Sequence, residues 1–148
     1  RREEIAAEFF GSRVGLFPAT KATREQLCKM DLRLAVGTSS VSASARPFLE
    51  RTGIGRLFEV IVTGDEVKRG KPHPDIYTSV AEKLDVASDV CLVIEDALSG
   101  IAAAKAAKMC VAAIPDTRFV DRRQYEKEAD YVLRSLSEIP ALICRIRN

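Results

Sequence analysis

Short apolar runs alternate along the chain with stretches whose apolar residues recur at helical spacing. Residues 32–37 form the first run, and a helix is expected over 43–52. A second run covers 58–63. Residues 74–84 then read as a helix, in which Ile76, Val80, Ala81 and Leu84 share one face. A third run spans 90–94 and leads into a helix over 98–107. Residues 110–114 and 131–133 supply a fourth strand and a short fifth. A last helix is expected over 136–146, where Pro140 is tolerable only near the first turn.

Strands alternating with helices at this spacing predict a parallel sheet with helices on both faces. The runs are nearly continuous rather than alternating, as burial on both faces requires. The fold class is α/β, a doubly wound, Rossmann-like parallel sheet. Residues before Ala22 read differently. Ile5, Ala6, Phe9 and Phe10 suit one or two amphipathic turns, and Gly11, Gly15 and Pro18 then break the pattern. Residues 1–19 are therefore expected to be the tail of another module with its connection, and 20–148 a core domain. The opening Arg1-Arg2-Glu3-Glu4, without methionine, suggests a start inside a larger protein.

Composition narrows the partners. The 148 residues fit one domain, and a hydrophobic fraction of 47% is enough for a core. Charges nearly balance, 23 basic against 21 acidic, for a net +2. The basic residues near Arg118, Arg122 and Arg123 interleave with acidic ones and read as solvated helix faces. With no basic stripe, nucleic acid is not an expected partner. No apolar stretch approaches the roughly 20 residues of a membrane span, and no signal peptide is expected. Cys28, Cys91, Cys110 and Cys144 show no C-x-x-C spacing and no neighbouring histidine pair, which argues against a zinc site. A reducing cytoplasm is the natural compartment.

In doubly wound sheets ligands bind beyond the carboxyl ends of the strands. The polar residues that close each run therefore matter most: Thr38-Ser39-Ser40, Gly64-Asp65-Glu66, Glu95-Asp96 and Pro115-Asp116. Thr38 and the amides after it suit a phosphate oxygen, although a threonine there serves equally as a helix cap. Lys71 lies in Arg69-Gly70-Lys71-Pro72-His73-Pro74-Asp75. From that proline-stiffened loop an ammonium can neutralise phosphate charge, and the plain alternative is a solvated loop lysine. Asp75 reads as a helix N-cap or first-turn acid, and His73 as a loop residue near the entrance. Glu95 and Asp96 close a buried strand, where paired carboxylates are costly unless something positive joins them. Magnesium, a hard ion that takes oxygen ligands, is the candidate; the alternative is that one of the pair caps the next helix.

Together these pieces, in this order at strand-to-helix junctions, resemble the second, third and fourth motifs of the haloacid dehalogenase superfamily. The motifs are the apolar strand ending in Thr38, Gly70-Lys71-Pro72-x-Pro74-Asp75, and Ile94-Glu95-Asp96-Ala97-Leu98-Ser99-Gly100. The text from Phe58 to Val67 matches as well. The resemblance covers about residues 20–140 and is nearest to the phosphatase and β-phosphoglucomutase branch. It implies that Thr38 and Ser39 bind the transferring phosphoryl group and that Lys71 steadies both it and the nucleophile. It also implies that Asp96 ligates Mg2+, while Glu95 ligates the ion or holds one of its waters. A Glu-Asp fourth motif argues against a true dehalogenase, which needs no metal. The implied activity is that of a magnesium-dependent phosphatase acting on a small phosphorylated metabolite such as a sugar phosphate. The alternatives are a phosphomutase and a non-catalytic α/β binding module with a vestigial pocket.

One motif is missing. The superfamily's nucleophile is an aspartate in a D-x-D pattern after an N-terminal apolar strand, and no aspartate in this chain has a partner two residues away. The expectation is a core without its nucleophile strand, which the superfamily places mid-sheet, and without most of its helical cap, residues 1–19 being the cap's end. Two half-sheets would lose their shared neighbour. These residues alone are expected to fold poorly and to turn over no substrate.

Overall fold

The computed structural model describes residues 16, 19–116, 118 and 120–147. The amphipathic turns expected around Ile5 to Phe10 lie outside the described residues. In chain order the elements are α1 (Thr20–Leu27), β1 (Ala35–Gly37), α2 (Ser42–Arg51), β2 (Val60–Val62), α3 (Asp75–Leu84) and β3 (Leu92–Glu95). They continue with α4 (Leu98–Ala106), β4 (Cys110–Ala113), α5 (Arg122–Glu128), β5 (Tyr131–Val132) and α6 (Ile139–Arg147). Every strand pairing is parallel, β1 with β2 in one sheet and β3–β4–β5 in a second. Among the described residues no helix is long and apolar enough to cross a membrane.

Successive side chains of β3 and β4 turn to opposite faces, as the pleat requires. Val93, Val111 and Ala113 join Tyr77, Ile101, Ala104 and Tyr125 in one core. Leu92, Ile94 and Ala112 face the other way, toward Leu133, Ile139, Leu142 and Ile143. Helices α3, α4 and α5 thus cover one face and α1 and α6 the other, which is why no polar residue interrupts these runs.

Several boundaries differ from the sequence expectation for identifiable reasons. Strand β1 starts only at Ala35; ahead of it the Arg33 side chain pairs with Glu59 at 2.8 Å and donates to the Leu84 carbonyl. Residues Ser88–Val90 form a 3-10 turn instead of opening β3, and Val90 stays 74% exposed. The buried face of α3 is Ile76, Tyr77, Ala81 and Leu84, with Tyr77 where the periodicity suggested Val80. Pro140 does fall in the first turn of α6, after a 3-10 turn closed by a Ser135–Glu138 capping box. Helices α1 and α5 were not predicted. Each buries a single residue, Thr23 and Tyr125 respectively, so neither carries an apolar stripe. The Asp121 carboxylate starts α5 by accepting from the Arg123 N–H at 2.9 Å.

Candidate active site

The carboxyl ends of β1 and β3 are joined by one side chain. Lys71 extends from the loop before α3, where the Lys71–Pro72 peptide is cis and the His73 N–H closes a turn onto the Gly70 carbonyl at 3.0 Å. Arg69 and Asp75 pair at 2.8 Å across the base of that loop, and the guanidinium holds the Asp75 carboxyl below its usual range. Asp75 is the first residue of α3, the first-turn acid its position suggests. His73 is exposed.

The Lys71 side chain is only 10% exposed and its ion-pair partner Glu95 only 7%. An ammonium has three protons, and here each has an acceptor. These are the Gly37 carbonyl at 3.2 Å, the Tyr77 phenol oxygen at 2.9 Å and Glu95 Oε1 in a short contact. The Tyr77 phenol in turn donates to Glu95 Oε1. Burial first, and then the Glu95 charge, push the phenol's pKa up, so it stays protonated as a donor. The second carboxylate oxygen, Oε2, accepts from the Asp96 and Ala97 N–H groups at 3.2 and 3.4 Å, just ahead of α4. Glu95 thus serves as counter-ion to Lys71 and as an acid at a helix start. Its tucked position depends on Gly100: a Cβ there would land inside the Glu95 carboxylate.

Thr38 follows β1 directly, and its N–H donates to the Val62 carbonyl at 3.0 Å. Its Oγ1 accepts from the Ser40 N–H at 3.1 Å, and among the described residues no acceptor takes the hydroxyl proton. Thr38 is not the cap of α2. Val41 occupies that position, and the Ser42 N–H goes to Asp65 at 2.9 Å. Ser39 is exposed, and its carbonyl packs so closely on Gly64 that no side chain fits between them.

The other strand ends are committed to structure. Asp65 accepts from the Thr63 hydroxyl at 2.6 Å, and that bond, followed by the one from Ser42, lowers its pKa. Glu66 accepts from the Thr63 N–H at 2.8 Å and pairs with Lys83 at 3.1 Å. Asp116 pairs with Arg118 at 2.6 Å.

The structure therefore brings Lys71 and Glu95 into contact, and it sets Thr38 and Asp96 one residue beyond the two strand ends that Lys71 bridges. Asp96 is exposed, while its carbonyl accepts from the buried Tyr125 phenol at 2.8 Å. Sequence reasoning missed Tyr77, Tyr125 and the role of Gly100. The two tyrosines lie at buried helical positions, and a buried phenol needs a hydrogen-bond partner; that need was the available signal. No group of three or more His, Cys, Asp or Glu side chains able to hold a metal occurs among the described residues. Magnesium takes one or two carboxylates and otherwise keeps water and phosphate oxygens, and the exposed Asp96 fits that partial demand.

Parallel strands covered by helices, with a lysine–carboxylate cluster at their carboxyl ends, define a Rossmann-like α/β core. Residues 2–114 match the family model of the haloacid dehalogenase-like hydrolases, and the chain belongs to that family. A phosphorylated carbohydrates phosphatase from Thermotoga maritima is 39% identical over 61% of this chain and 42% of its own length. CbbY from Rhodobacter sphaeroides, solved in complex with xylulose-(1,5)-bisphosphate, superposes with a TM-score of 0.80 at 29% identity, over 93% of this chain and 62% of that one. A candidate β-phosphoglucomutase from Thermotoga maritima gives 0.82 at 28% identity, over 94% and 64%. The chain spans about half the length of the curated relatives it matches.

Proposed function

We propose that the protein containing this chain is a magnesium-dependent phosphatase that hydrolyses a small phosphorylated metabolite, with a sugar phosphate as the substrate class. The observation that carries this reading is the Lys71 ammonium, 10% exposed, bridging the carboxyl ends of β1 and β3. A cation fixed there neutralises charge on a phosphoryl group without reorganising as the charge shifts. Thr38 contributes the hydroxyl proton that Ser40 leaves free, and Ser39 lies beside it at the exposed end of the loop. Asp96 is the direct ligand for magnesium. Glu95, engaged by Lys71 and Tyr77, holds a metal-bound water at most. The ion, when bound, offsets negative charge on the phosphoryl oxygens.

The attacking carboxylate in this reading is an aspartate that these 148 residues do not supply in a D-x-D pattern. In support, β1 and β3 each pair on one side only among the described residues. A strand carrying that aspartate would lie between them. Xylulose-(1,5)-bisphosphate in CbbY and the carbohydrate phosphatase of Thermotoga maritima support a phosphorylated sugar as substrate.

The test is phosphate release by the full-length protein from a panel of sugar monophosphates, with magnesium and with excess chelator. Turnover should need the metal. Asp96→Asn should lower it at least 100-fold while shifting the melting temperature by only a degree or two, because the side chain is exposed and removing its charge opens no cavity. Full activity in chelator would sink the proposal.

A further inference from the structure

We propose that Tyr77 is a positioning residue: its phenol fixes the Lys71 ammonium and the Glu95 carboxylate relative to each other, and this sets the rate of phosphoryl transfer rather than substrate affinity. The inference rests on the phosphatase reading above. Its geometric basis is a closed hydrogen-bonded ring in which the phenol oxygen accepts from Lys71 Nζ at 2.9 Å, its proton goes to Glu95 Oε1, and Lys71 also donates to Glu95 Oε1. Of the three acceptors around the ammonium, the phenol alone is both donor and acceptor, so it alone orients both members of the ion pair.

The ring of Tyr77 is held as firmly as its hydroxyl. Tyr77 is 6% exposed, and Lys71 Nζ lies 4.7 Å from the ring centroid, within cation–π range. A Cβ at Gly37, the last residue of β1, would come within 2.7 Å of Ile76 Cγ2 and 3.3 Å of Tyr77 Cε1. The backbone of β1 therefore packs directly on the aromatic edge. The same Gly37 presents its carbonyl to Lys71. Ring, strand end and ammonium thus pack as one unit.

Phenylalanine separates positioning from packing, because Tyr77→Phe keeps the ring and its contacts and removes only the hydroxyl. Misplacing a reacting group by even about 1 Å costs on the order of 100-fold in rate. In the full-length protein, Tyr77→Phe should lower kcat about 10- to 100-fold on p-nitrophenyl phosphate and on the best sugar monophosphate. KM should move less than about threefold, because the substrate-facing donors remain. A merely structural role would instead lower the folded fraction and leave kcat per folded molecule unchanged, and that result would overturn the proposal.

A second readout does not depend on turnover. In the 1H–15N spectrum of lysine side chains, the hydrogen-bonded Lys71 ammonium should give a resolved, slowly exchanging signal in the wild type and lose it in Tyr77→Phe, with the backbone spectrum otherwise retained. If the wild type hydrolyses no phosphomonoester, the phosphatase reading fails, and this spectrum alone decides whether Tyr77 orders Lys71. An unchanged Lys71 signal in Tyr77→Phe overturns that.

Discussion

At the scale of single residues, the cluster at the end of β3 is governed by what sits one turn into α4. Replacing a helix-interior glycine with alanine ordinarily stabilises a helix by about 1 kcal/mol. At Gly100 a second effect opposes this, since the new methyl would occupy the space of the Glu95 carboxylate. A flexible carboxylate could swing aside cheaply elsewhere, but this one is pinned by Lys71, Tyr77 and two backbone amides. Overpacking typically costs about 1–3 kcal/mol, so the clash should win. Gly100→Ala is expected to lower stability by about 1–2 kcal/mol in urea denaturation; a more stable variant would show that Glu95 lies elsewhere. The carboxylates and the lysine were legible as candidates because charged groups at the ends of apolar strands demand an explanation. The tyrosines that hold them were not. Tyr77 falls on an apolar helical face, and its hydroxyl partners lie six and eighteen positions along the chain, where no local pattern points.

At the scale of elements, strands and helices with a strong apolar period could be read from the sequence, and those held by single polar contacts could not. Helix α4 lies within one residue of its expected span because Ile101, Ala103 and Ala104 are buried against β3 and β4. Helix α5 has only Tyr125 to bury, and its start depends on the Asp121 cap. Short β5 was legible as an apolar run over 131–133, yet it too has an anchor outside itself. The Asp130 carboxylate, just before the strand, accepts from Lys105 Nζ at 2.6 Å and from the Val111 N–H at 2.8 Å, tying β5 to α4 and β4. Burial works to raise the Asp130 pKa, but the bonds from Lys105 and Val111 outweigh it and hold the carboxyl below its usual range. A carboxyl more acidic folded than unfolded contributes stability that is present above its unfolded value and lost as pH falls through the folded one. Asp130→Asn should therefore cost about 1 kcal/mol at pH 7. The difference from wild type should shrink toward pH 3, as read from urea midpoints at both values. An equal difference at the two would mean that the bond works without its charge.

At the scale of the whole molecule, the two parallel sheets meet through α3 and through Lys71. Helix α3 lies against β1 and β2, yet its Tyr77 and Ala81 belong to the core built on β3 and β4. Lys71 adds the polar link, from the Gly37 carbonyl at the end of β1 to Glu95 at the end of β3. The sequence predicted the parallel order and the strand-end lysine, but nothing in it marked that lysine as a bridge between sheets, because the bridge exists only once both strands are in place. A buried pair of this kind stabilises little relative to an apolar pair. Removing one partner is what costs, about 3–5 kcal/mol, since the other charge is left buried. Against a typical total stability of about 5–15 kcal/mol, that loss brings a domain close to unfolding. Lys71→Met should therefore fall by about 3 kcal/mol or more in urea denaturation even though Tyr77 still donates to Glu95. Adding Glu95→Gln should recover most of the loss, because the amide oxygen can accept from the Asp96 and Ala97 N–H groups and its NH2 can donate to Tyr77. A single Lys71→Met variant within about 1 kcal/mol of wild type would refute the bridge. The same numbers bear on the proposed chemistry: activity lost on removing Lys71 assigns it a phosphate-binding role only if Glu95→Gln alone keeps turnover while the Lys71→Met/Glu95→Gln double variant, folded and stable, stays inactive.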